Sequence, residues 1–369
     1  MTHFETPYGS FEFIRYPKAH DPTLKAWDAA DDLALKMTTG HLPQNGIVVI
    51  ANDEFGALSV PLSSQHQVFH WSDSLLSQMA VSKNTSNHST NNLELLNSTS
   101  QLPKVKPNLI ILRPPKIIQY LNYQLKTLRS SYPNTQIIIP VMQKFITTGM
   151  KSCISQHVDH VNPGRAQRKA RVIEGSLKSD LPSNEQENFS SFRFNNLTLF
   201  NMPNVFSAQS LDIGARFLLE NFPDLTDAKH IADLGCGNGV LSAFGASHYP
   251  NSRFYGFDES YMAISSARET FRQNQLSNGT FTVSNVFSHT EETSYDAILC
   301  NPPFHQNRRV TTDTAKLMFK QSSQLINKEG KLWVIANRHL DYDKVLNRYF
   351  NTVNKVKENH KFVILSAKK

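Results

Sequence analysis

The sequence has little cysteine and no long apolar segment. Its three cysteines in 369 residues, Cys153, Cys236 and Cys300, are spaced too widely for a zinc motif or a disulfide framework. No uninterrupted apolar segment approaches the roughly 18 residues that a membrane helix needs. The first residues also lack a basic segment followed by an apolar one, the pattern of a signal peptide. We therefore expect a cytoplasmic protein with reduced thiols, no membrane segment and no metal.

The composition is that of a folded chain with a mild excess of positive charge. Hydrophobic residues make up 39% and charged residues 19%, and the formal net charge is +7. The length is that of two domains of ordinary size. A basic excess of this kind is typical of proteins that bind nucleic acid, but it also occurs in ordinary cytosolic proteins. Charge alone leaves both interpretations open.

The second half of the chain alternates short apolar strands with amphipathic helices. Strands are predicted at residues 230–234, 253–258, 281–283, 295–300 and 330–336. This alternation predicts βαβ units and a mostly parallel sheet. Two further strands, near 351–356 and 361–365, predict an antiparallel edge.

The first half repeats this plan in a degenerate form. Three landmarks recur in the same order: Gly56 and Gly239 are 183 residues apart, Asp73 and Asp258 are 185 apart, and Pro114 and Pro302 are 188 apart. Their nearly constant spacing predicts an internal duplication. We therefore predict two tandem Rossmann-like α/β domains.

The polar stretches of the sequence predict the domain boundaries. Residues 1–175 are predicted to form the degenerate domain, 176–200 a linker region and 201–369 the catalytic domain. Residues 82–101 are rich in Ser, Thr and Asn and lack periodicity, so they are predicted to form a surface loop.

A glycine-rich turn, DLGCGNG, joins the first strand of the second half to its helix. The candidate cofactor residues are Asp233, Gly235, Gly237, Gly239, Asp258 and Asn285. Glycines let the backbone turn sharply and approach a ligand. Asp258, 19 residues after the last glycine, suits the hydroxyls of a ribose. Asp233 suits a cationic amino-acid group better than a pyrophosphate, and Asn285 suits adenine. Asp233 and the motif after the fourth strand favour S-adenosylmethionine over NAD as the cofactor, and for Asn285 an ordinary turn asparagine is the alternative.

The motif NPPF follows the fourth strand of the second half. The Asn301 carboxamide and the Pro302 carbonyl can accept hydrogen bonds from an exocyclic amine, and Phe304 can stack on a base. Such a site acts through proximity and orientation, without an acid, a metal or a thiolate. We predict these three as catalytic residues, with Pro303 as a substrate contact. The alternative is a Pro-Pro turn with Phe304 in the core.

Basic side chains provide further candidates for contact with RNA. Arg338 and His339 follow the fifth strand, although a structural corner is an equal alternative. Arg113 and Lys116 replace the Asn and Phe of NPPF in the first half. Because a cation cannot accept a hydrogen bond from an amine, the first half is predicted to be inactive and to contact phosphate. A further basic cluster, which could equally be a solvated face, contains Arg165, Arg168, Lys169 and Arg171.

Together these motifs resemble the bacterial family of large-subunit ribosomal RNA methyltransferases G. The resemblance is carried by residues 26–31, 53–58, 204–207, 211–217, 233–239, 301–306 and 336–342. It implies tandem class I S-adenosylmethionine-dependent methyltransferase domains, of which only the second is catalytic. It also implies N2-methylation of a guanine in protein-free 23S rRNA. We further expect a monomer.

Three alternatives remain at this point. A sister family methylates guanine N2 in 16S rRNA and shares the duplicated plan, but residues 338–342 and 359–363 look like the large-subunit family. A glutamine methyltransferase of release factors uses a similar NPPY motif, but it does not account for the degenerate first half. An inactive RNA-binding assembly factor is disfavoured by the intact motifs at 233–239 and 301–304.

Overall fold

The computed structural model divides the chain into two compact units, Met1–Gln186 (unit 1) and Glu187–Lys369 (unit 2). It describes residues 2–18, 21, 23–86, 88, 92–179, 189–205, 210–292, 294–303 and 313–369. Among these residues no helix is both long and apolar enough to cross a membrane. The same residues contain no group of three or more His, Cys, Asp or Glu side chains placed to hold a metal ion.

Unit 1 combines a hairpin with a seven-stranded sheet. Its strands are β1 Thr2–Thr6, β2 Gly9–Phe13, β3 Ile47–Ala51, β4 Gln67–Ser72, β5 Leu93–Asn97, β6 Leu109–Leu112, β7 Gln136–Met142, β8 Val158–Asn162 and β9 Ala170–Leu177. Its helices are α1 Ala29–Thr38, α2 Ser59–Ser63, α3 Leu75–Thr85, α4 Ile118–Ser131 and α5 Thr148–His157, with a 3-10 helix at Gln143–Phe145. Strands β1 and β2 form the hairpin, and the sheet order is β5-β4-β3-β6-β7-β9-β8.

Unit 2 likewise combines a hairpin with a seven-stranded sheet. Its strands are β10 Ser190–Phe194, β11 Leu197–Asn201, β12 His230–Leu234, β13 Arg253–Asp258, β14 Gly279–Val283, β15 Tyr295–Cys300, β16 Ile326–Asn337, β17 Thr352–Glu358 and β18 Phe362–Lys368. Its helices are α6 Ile213–Glu220, α7 Val240–His248, α8 Tyr261–Gln273, α9 Asp313–Leu325 and α10 Tyr342–Leu346, with a 3-10 helix at Arg338–Leu340. Strands β10 and β11 form a hairpin, and the sheet order is β14-β13-β12-β15-β16-β18-β17.

The two sheets have the same order, strand for strand, and the same directions. Five strands of each sheet run parallel, and the last two, β8 and β9 or β17 and β18, are antiparallel. The predicted fold class, two tandem Rossmann-like domains from an internal duplication, is therefore confirmed.

Alternating side chains explain how the central strands of unit 2 hold two layers of helices. In β15, Ala297 and Leu299 belong to one buried cluster, and Ile298 and Cys300 belong to another. Successive strand residues point to opposite faces of the sheet, so each face has its own core. A strand covered on both faces reads as a continuous apolar segment, which is why these strands are easily recognised in the sequence.

The surface loop predicted at residues 82–101 is wrong at its start and in its second half, whereas residues 98–101 are irregular as predicted. Helix α3 continues to Thr85, and Leu93–Asn97 forms β5, an edge strand parallel to β4. Asn84 is fully buried, and its carboxamide bonds to the backbone N and O of Ile14 at 2.9 and 3.0 Å. This polar residue is therefore a core contact to the β1–β2 hairpin, which composition alone does not reveal.

The strand register shifts one predicted landmark of the duplication by one residue. Trp71 pairs with the end of β3 as Phe257 pairs with the end of β12. The counterpart of Asp258 is therefore Ser72, and not Asp73 as the sequence spacing predicted. Ser72 Oγ accepts a hydrogen bond from the Ser74 backbone N at 3.1 Å, as Asp258 Oδ1 does from Ser260, but it offers a ribose neither a second oxygen nor a negative charge.

Candidate active site

The carboxyl ends of the parallel strands in unit 2 meet at one edge of the sheet. Leu234 at the end of β12 is in register with Phe257 of β13 and Cys300 of β15. Open α/β sheets bind their ligands at this edge. The predicted site residues that leave the sheet here are the turn 235–239, Asp258, Asn285 and Asn301.

The glycine turn folds back against β13. The backbone N atoms of Gly235 and Cys236 both donate to the Phe257 carbonyl, at 2.8 and 3.1 Å. Gly235, Gly237 and Gly239 have φ angles of +72°, +55° and +77°, a region that glycine enters without strain. A Cβ atom on Gly237 would meet no described atom within 4 Å. The turn therefore leaves open space at Gly237.

Asp233 is buried near the end of β12 with only one of its carboxylate oxygens bonded. Oδ2 accepts hydrogen bonds from the backbone N and the Oγ of Ser242 on α7, at 3.2 and 2.7 Å. Oδ1 is buried and has no partner within the part of the chain that the structure describes. Burial raises the pKa of Asp233 to about 6, although the bonds from Ser242 lower it. An unpartnered buried carboxylate oxygen is costly, and a cationic ligand would remove that cost.

Asp258 connects the end of β13 to the glycine turn. Its Oδ2 accepts a hydrogen bond from the Gly237 backbone N, and its Oδ1 accepts one from the Ser260 backbone N, both at 3.0 Å. The side chain is half-buried, and each carboxylate oxygen can accept a second bond. Two of the predicted cofactor residues, Asp258 and Gly237, are therefore in direct contact.

Asn285 lies in a tight turn after β14 and follows Ser284, which contacts Asp258. The Ser284 backbone N donates to the Asp258 carbonyl at 2.8 Å, which holds the two strand ends together. Val286 is buried and has a φ of +55°, which a β-branched residue rarely adopts. Strained backbone of this kind concentrates at binding sites. No pattern in the sequence predicts the strain at Val286.

Asn301 follows β15 and lies beside the start of the glycine turn. Its backbone O is 3.6 Å from the position that a Cβ atom on Gly235 would take. Its side-chain Oδ1 is buried and accepts no hydrogen bond from the described residues. Pro302 is buried and Pro303 half-buried, while Phe304, the third predicted catalytic residue, lies outside the described residues. A buried acceptor without a partner is suited to a ligand N–H group.

Two cysteines adjoin these motifs, and neither is placed as a nucleophile. Burial raises the pKa of the Cys236 thiol and of the Cys300 thiol well above the usual range. Because the thiolate is the reactive form, both are inert packing residues, as the sequence indicated.

The structure adds Asn238 to the site, a residue that the sequence did not single out. Its Oδ1 accepts a hydrogen bond from the Val240 backbone N at 3.2 Å, so its Nδ2 donates to Asn201 Oδ1, at 2.9 Å. The Nδ2 atom of Asn201 is then buried without a partner in the described ranges. The pair joins the glycine turn to the β10–β11 hairpin, and no sequence motif connects residues so far apart.

Arg338 and His339 lie on the short 3-10 helix after β16, next to an open cleft of about 550 Å³. Both residues are exposed. The Arg338 guanidinium lies 3.7 Å from a carboxylate oxygen of Glu358 and donates to the Asn359 carbonyl at 3.3 Å. The Arg338 guanidinium is thus partly bound by the β17–β18 hairpin. The contacts of Arg338 and His339 with RNA stay predictions.

Arg113 of unit 1 is engaged by carboxylates of the same unit. It lies 2.8 Å from Asp28 Oδ2 and 3.4 Å from Asp31 Oδ1, and it donates to the Pro140 carbonyl at 3.2 Å. Burial raises the pKa of Asp31 to about 7, although Arg113 lowers it. A phosphate at this guanidinium would meet two acidic groups, so the position disfavours the predicted phosphate contact. Lys116 is exposed, and its contact stays a prediction.

In unit 1 the segment that corresponds to the glycine turn is held by hydrogen bonds to side chains of unit 1. The carboxylate of Asp53 accepts hydrogen bonds from three backbone N atoms, those of Gly56, Leu58 and Ser59, at 3.1, 2.9 and 2.7 Å. Asn52 and Gln124 exchange two side-chain hydrogen bonds, at 2.8 and 2.9 Å. These polar groups of unit 1 satisfy one another, whereas Asp233 Oδ1 and Asn301 Oδ1 in unit 2 have no partner among the described residues.

Two family models match the chain, one for each unit. The Methyltransferase small domain matches residues 196–366, and the RLMG N-terminal domain matches residues 1–179. The predicted enzyme class, a methyltransferase, is confirmed.

A solved structure of low sequence identity shares the fold along the whole chain. It is the T. thermophilus 16S rRNA N2 G1207 methyltransferase in complex with AdoMet and guanosine, with 19% identity and a TM-score of 0.80. The match covers 100% of this chain and 97% of that one.

Curated relatives match nearly the whole length at higher identity. The ribosomal RNA large subunit methyltransferase G of Aliivibrio salmonicida is 38% identical over 363 residues, which cover 96% of this chain and 95% of the relative. The protein of that name from Vibrio vulnificus (strain YJ016) is 36% identical over 368 residues, with 96% of both chains covered. The family indicated by the sequence motifs is confirmed: this chain belongs to the ribosomal RNA large subunit methyltransferase G family.

Proposed function

We propose that this chain transfers a methyl group from S-adenosylmethionine to the exocyclic N2 amine of a guanine in protein-free 23S rRNA. The observation that carries this proposal is the buried Oδ1 of Asn301 beside the glycine turn, which has no partner among the described residues. Two relatives bear the name of a large-subunit rRNA methyltransferase. We expect the reaction to take place in the cytoplasm and the protein to act as a monomer.

The residues of unit 2 fit S-adenosylmethionine, which supplies an electrophilic methyl group when bound. The Oδ1 of Asp233, which has no partner among the described residues, suits the ammonium group, because a charge-assisted hydrogen bond would satisfy a buried carboxylate. The open space at Gly237 gives room for the ligand. The half-buried carboxylate of Asp258 suits the ribose hydroxyls, and we assign Asn285 to the adenine.

Asn301 and Pro302 then orient the guanine amine. The Asn301 Oδ1 and the Pro302 carbonyl each accept one N–H, which directs the nitrogen lone pair towards the methyl carbon. The nitrogen would gain positive charge as it takes up the methyl group that bound S-adenosylmethionine would supply. Both acceptors stabilise this charge until a proton leaves to water. We assign Pro303 and Phe304 to contact with the base.

Transfer of tritiated methyl groups to three substrates tests the proposal: naked 23S rRNA, naked 16S rRNA and intact subunits. We expect label in naked 23S rRNA, at the N2 atom of a guanine. Label in 16S rRNA alone would overturn the choice of substrate in favour of the sister activity. No label in any RNA, despite bound S-adenosylmethionine, would overturn the proposed activity in favour of an RNA-binding factor.

A further inference from the structure

A strongly basic connection joins the last two strands of unit 1. Residues 160–171 contain no Asp or Glu and include four cations, Arg165, Arg168, Lys169 and Arg171. Residues 163–169, between β8 and β9, are here called the basic turn. Arg165, Arg168 and Lys169 are exposed. The turn therefore presents positive charge to solvent.

The basic turn lies at the carboxyl edge of the parallel strands. Ala170, the first residue of β9, pairs with Met142, the last residue of β7. The Gln143 backbone N donates to the Lys169 carbonyl at 2.8 Å, which fixes the turn to the end of β7. In sheets of this kind, this is the edge that faces ligands.

Unit 2 has a shorter connection at the equivalent place. Residues 359–361 join β17 to β18, and the Arg338 backbone N donates to the Lys361 carbonyl at 3.0 Å, as Gln143 does to Lys169. The two hairpins thus share this backbone hydrogen bond, but their connections differ in length. Unit 1 has seven residues where unit 2 has three, and the longer connection includes Arg165 and Arg168.

The tip of the basic turn holds two cations in an unfavourable backbone conformation. Gln167 and Ala170 exchange both backbone hydrogen bonds, at 2.9 and 2.8 Å, around Arg168 and Lys169. These two residues have φ angles of +47° and +64°. A two-residue turn of this type favours Asn-Gly, because other residues are strained there. Backbone in such conformations is found more often at functional sites than elsewhere.

The charges of the turn are only weakly compensated. Within the described residues, no carboxylate forms an ion pair with Arg165 or Lys169. Arg168 lies 3.4 Å from Asp32, but its side chain is 79% exposed, and such pairs are weak. Arg171 braces the turn by donating to the Gly164 carbonyl at 2.8 Å. The turn therefore presents exposed cations on a backbone that is held by its own hydrogen bonds.

We propose that the basic turn binds the phosphate backbone of the ribosomal RNA through Arg165, Arg168 and Lys169. This rests on the proposed function, since it takes RNA as the substrate. Contacts of Arg and Lys with phosphate supply affinity and position the RNA without reading its sequence. Unit 1 then contributes to RNA binding through this turn and not through Arg113.

The double variant Arg165→Gln/Arg168→Gln tests the site. We expect its Kd and KM for 23S rRNA to rise roughly tenfold while its affinity for S-adenosylmethionine stays unchanged. The slope of log K against log salt concentration should fall by about 0.7–0.9 for each lost contact. The control Lys104→Gln/Lys106→Gln removes two exposed cations ahead of β6, at the opposite edge. Its RNA affinity and salt slope should match the wild type.

A second variant, Arg168→Asn/Lys169→Gly, separates binding from folding. It installs the residues that the turn prefers, so we expect a higher Tm together with weaker RNA binding. Unchanged RNA affinity and salt slope in both turn variants would overturn the proposal while leaving the methyl transfer activity intact. An RNA-binding measurement tests the basic turn even if the wild type methylates no RNA. Failure of this proposal can therefore be distinguished from failure of the proposed function.

Discussion

The two units share one strand order but use their carboxyl sheet edges differently. In unit 2, buried oxygen atoms of Asp233 and Asn301 have no partner in the part of the chain that the structure describes. In unit 1, Arg113 stands in place of Asn301 and binds Asp28, while Asp53 accepts three backbone hydrogen bonds. The shared sheet therefore does not make a ligand site. We assign the cofactor to unit 2 because, among the described residues, the unpartnered oxygens of Asp233 and Asn301 adjoin its glycine turn, and such atoms cost stability until a ligand arrives.

The largest effect on activity is expected for the variant Asn301→Ala. Loss of the acceptor should lower kcat about 10²- to 10³-fold, as removal of one charge-stabilising group does in other enzymes. Affinity for S-adenosylmethionine and Tm should hardly change, because none of the described residues donates a hydrogen bond to the lost oxygen. Single-turnover methyl transfer at saturating cofactor measures the effect, and undiminished turnover would remove Asn301 from the catalytic role.

Asp233→Asn should weaken the binding of S-adenosylmethionine and stabilise the free protein. The loss of one charge-assisted contact predicts a Kd about 10- to 100-fold higher. The pKa of Asp233 is raised to about 6, so its contribution to stability is fully present below pH 4 and is lost as pH rises through 6. The variant has no carboxylate to ionise at this position, so its free energy of unfolding at pH 8 should be about 2–3 kcal/mol higher than that of the wild type. Identical pH dependence of Tm in both proteins would contradict this account.

Arg113→Met should affect folding and not the cofactor. The change leaves Asp28 and Asp31 without their cation, which predicts a loss of about 2–3 kcal/mol at pH 8. The loss should shrink as pH falls below 7, because Asp31, whose pKa is about 7, then takes up a proton. Denaturant unfolding at several pH values measures this. A variant that is as stable as the wild type but binds RNA poorly would restore the predicted phosphate contact.

Substitutions of two glycines in the glycine turn should have smaller effects, which differ between the two positions. Gly237→Ala places a methyl group in open space, so it should cost only about 1 kcal/mol of stability yet raise the cofactor Kd roughly tenfold. Gly239→Ala should cost more stability, because its Cβ would lie 3.0 Å from the Cβ of Ala267. Thermal unfolding and calorimetric titration separate the two. Unchanged cofactor affinity in Gly237→Ala would show that the ligand does not approach this turn.

The sequence predicted those parts of the fold that depend on adjacent residues. The strands at 230–234 and 295–300, the glycine turn and the Asn301 motif are all continuous segments with their own local signals. The family, the fold class and the methyltransferase class followed from them and are confirmed.

Features that depend on distant residues were missed. The Asn201–Asn238 pair, the strain at Val286 and the burial of Asn84 arise from contacts between elements. The register error at Asp73 has the same cause, because spacing along the chain does not fix how strands align. Strand β5 was hidden because its flanking residues have the composition of a loop.

Titration of the wild type with S-adenosylmethionine in a calorimeter tests most directly whether the two sheet edges differ as described. We expect one binding site per chain, which is retained in Arg113→Met and lost or strongly weakened in Asp233→Asn. Two sites per chain, or one site that survives Asp233→Asn with full affinity, would contradict the assignment of the cofactor to unit 2.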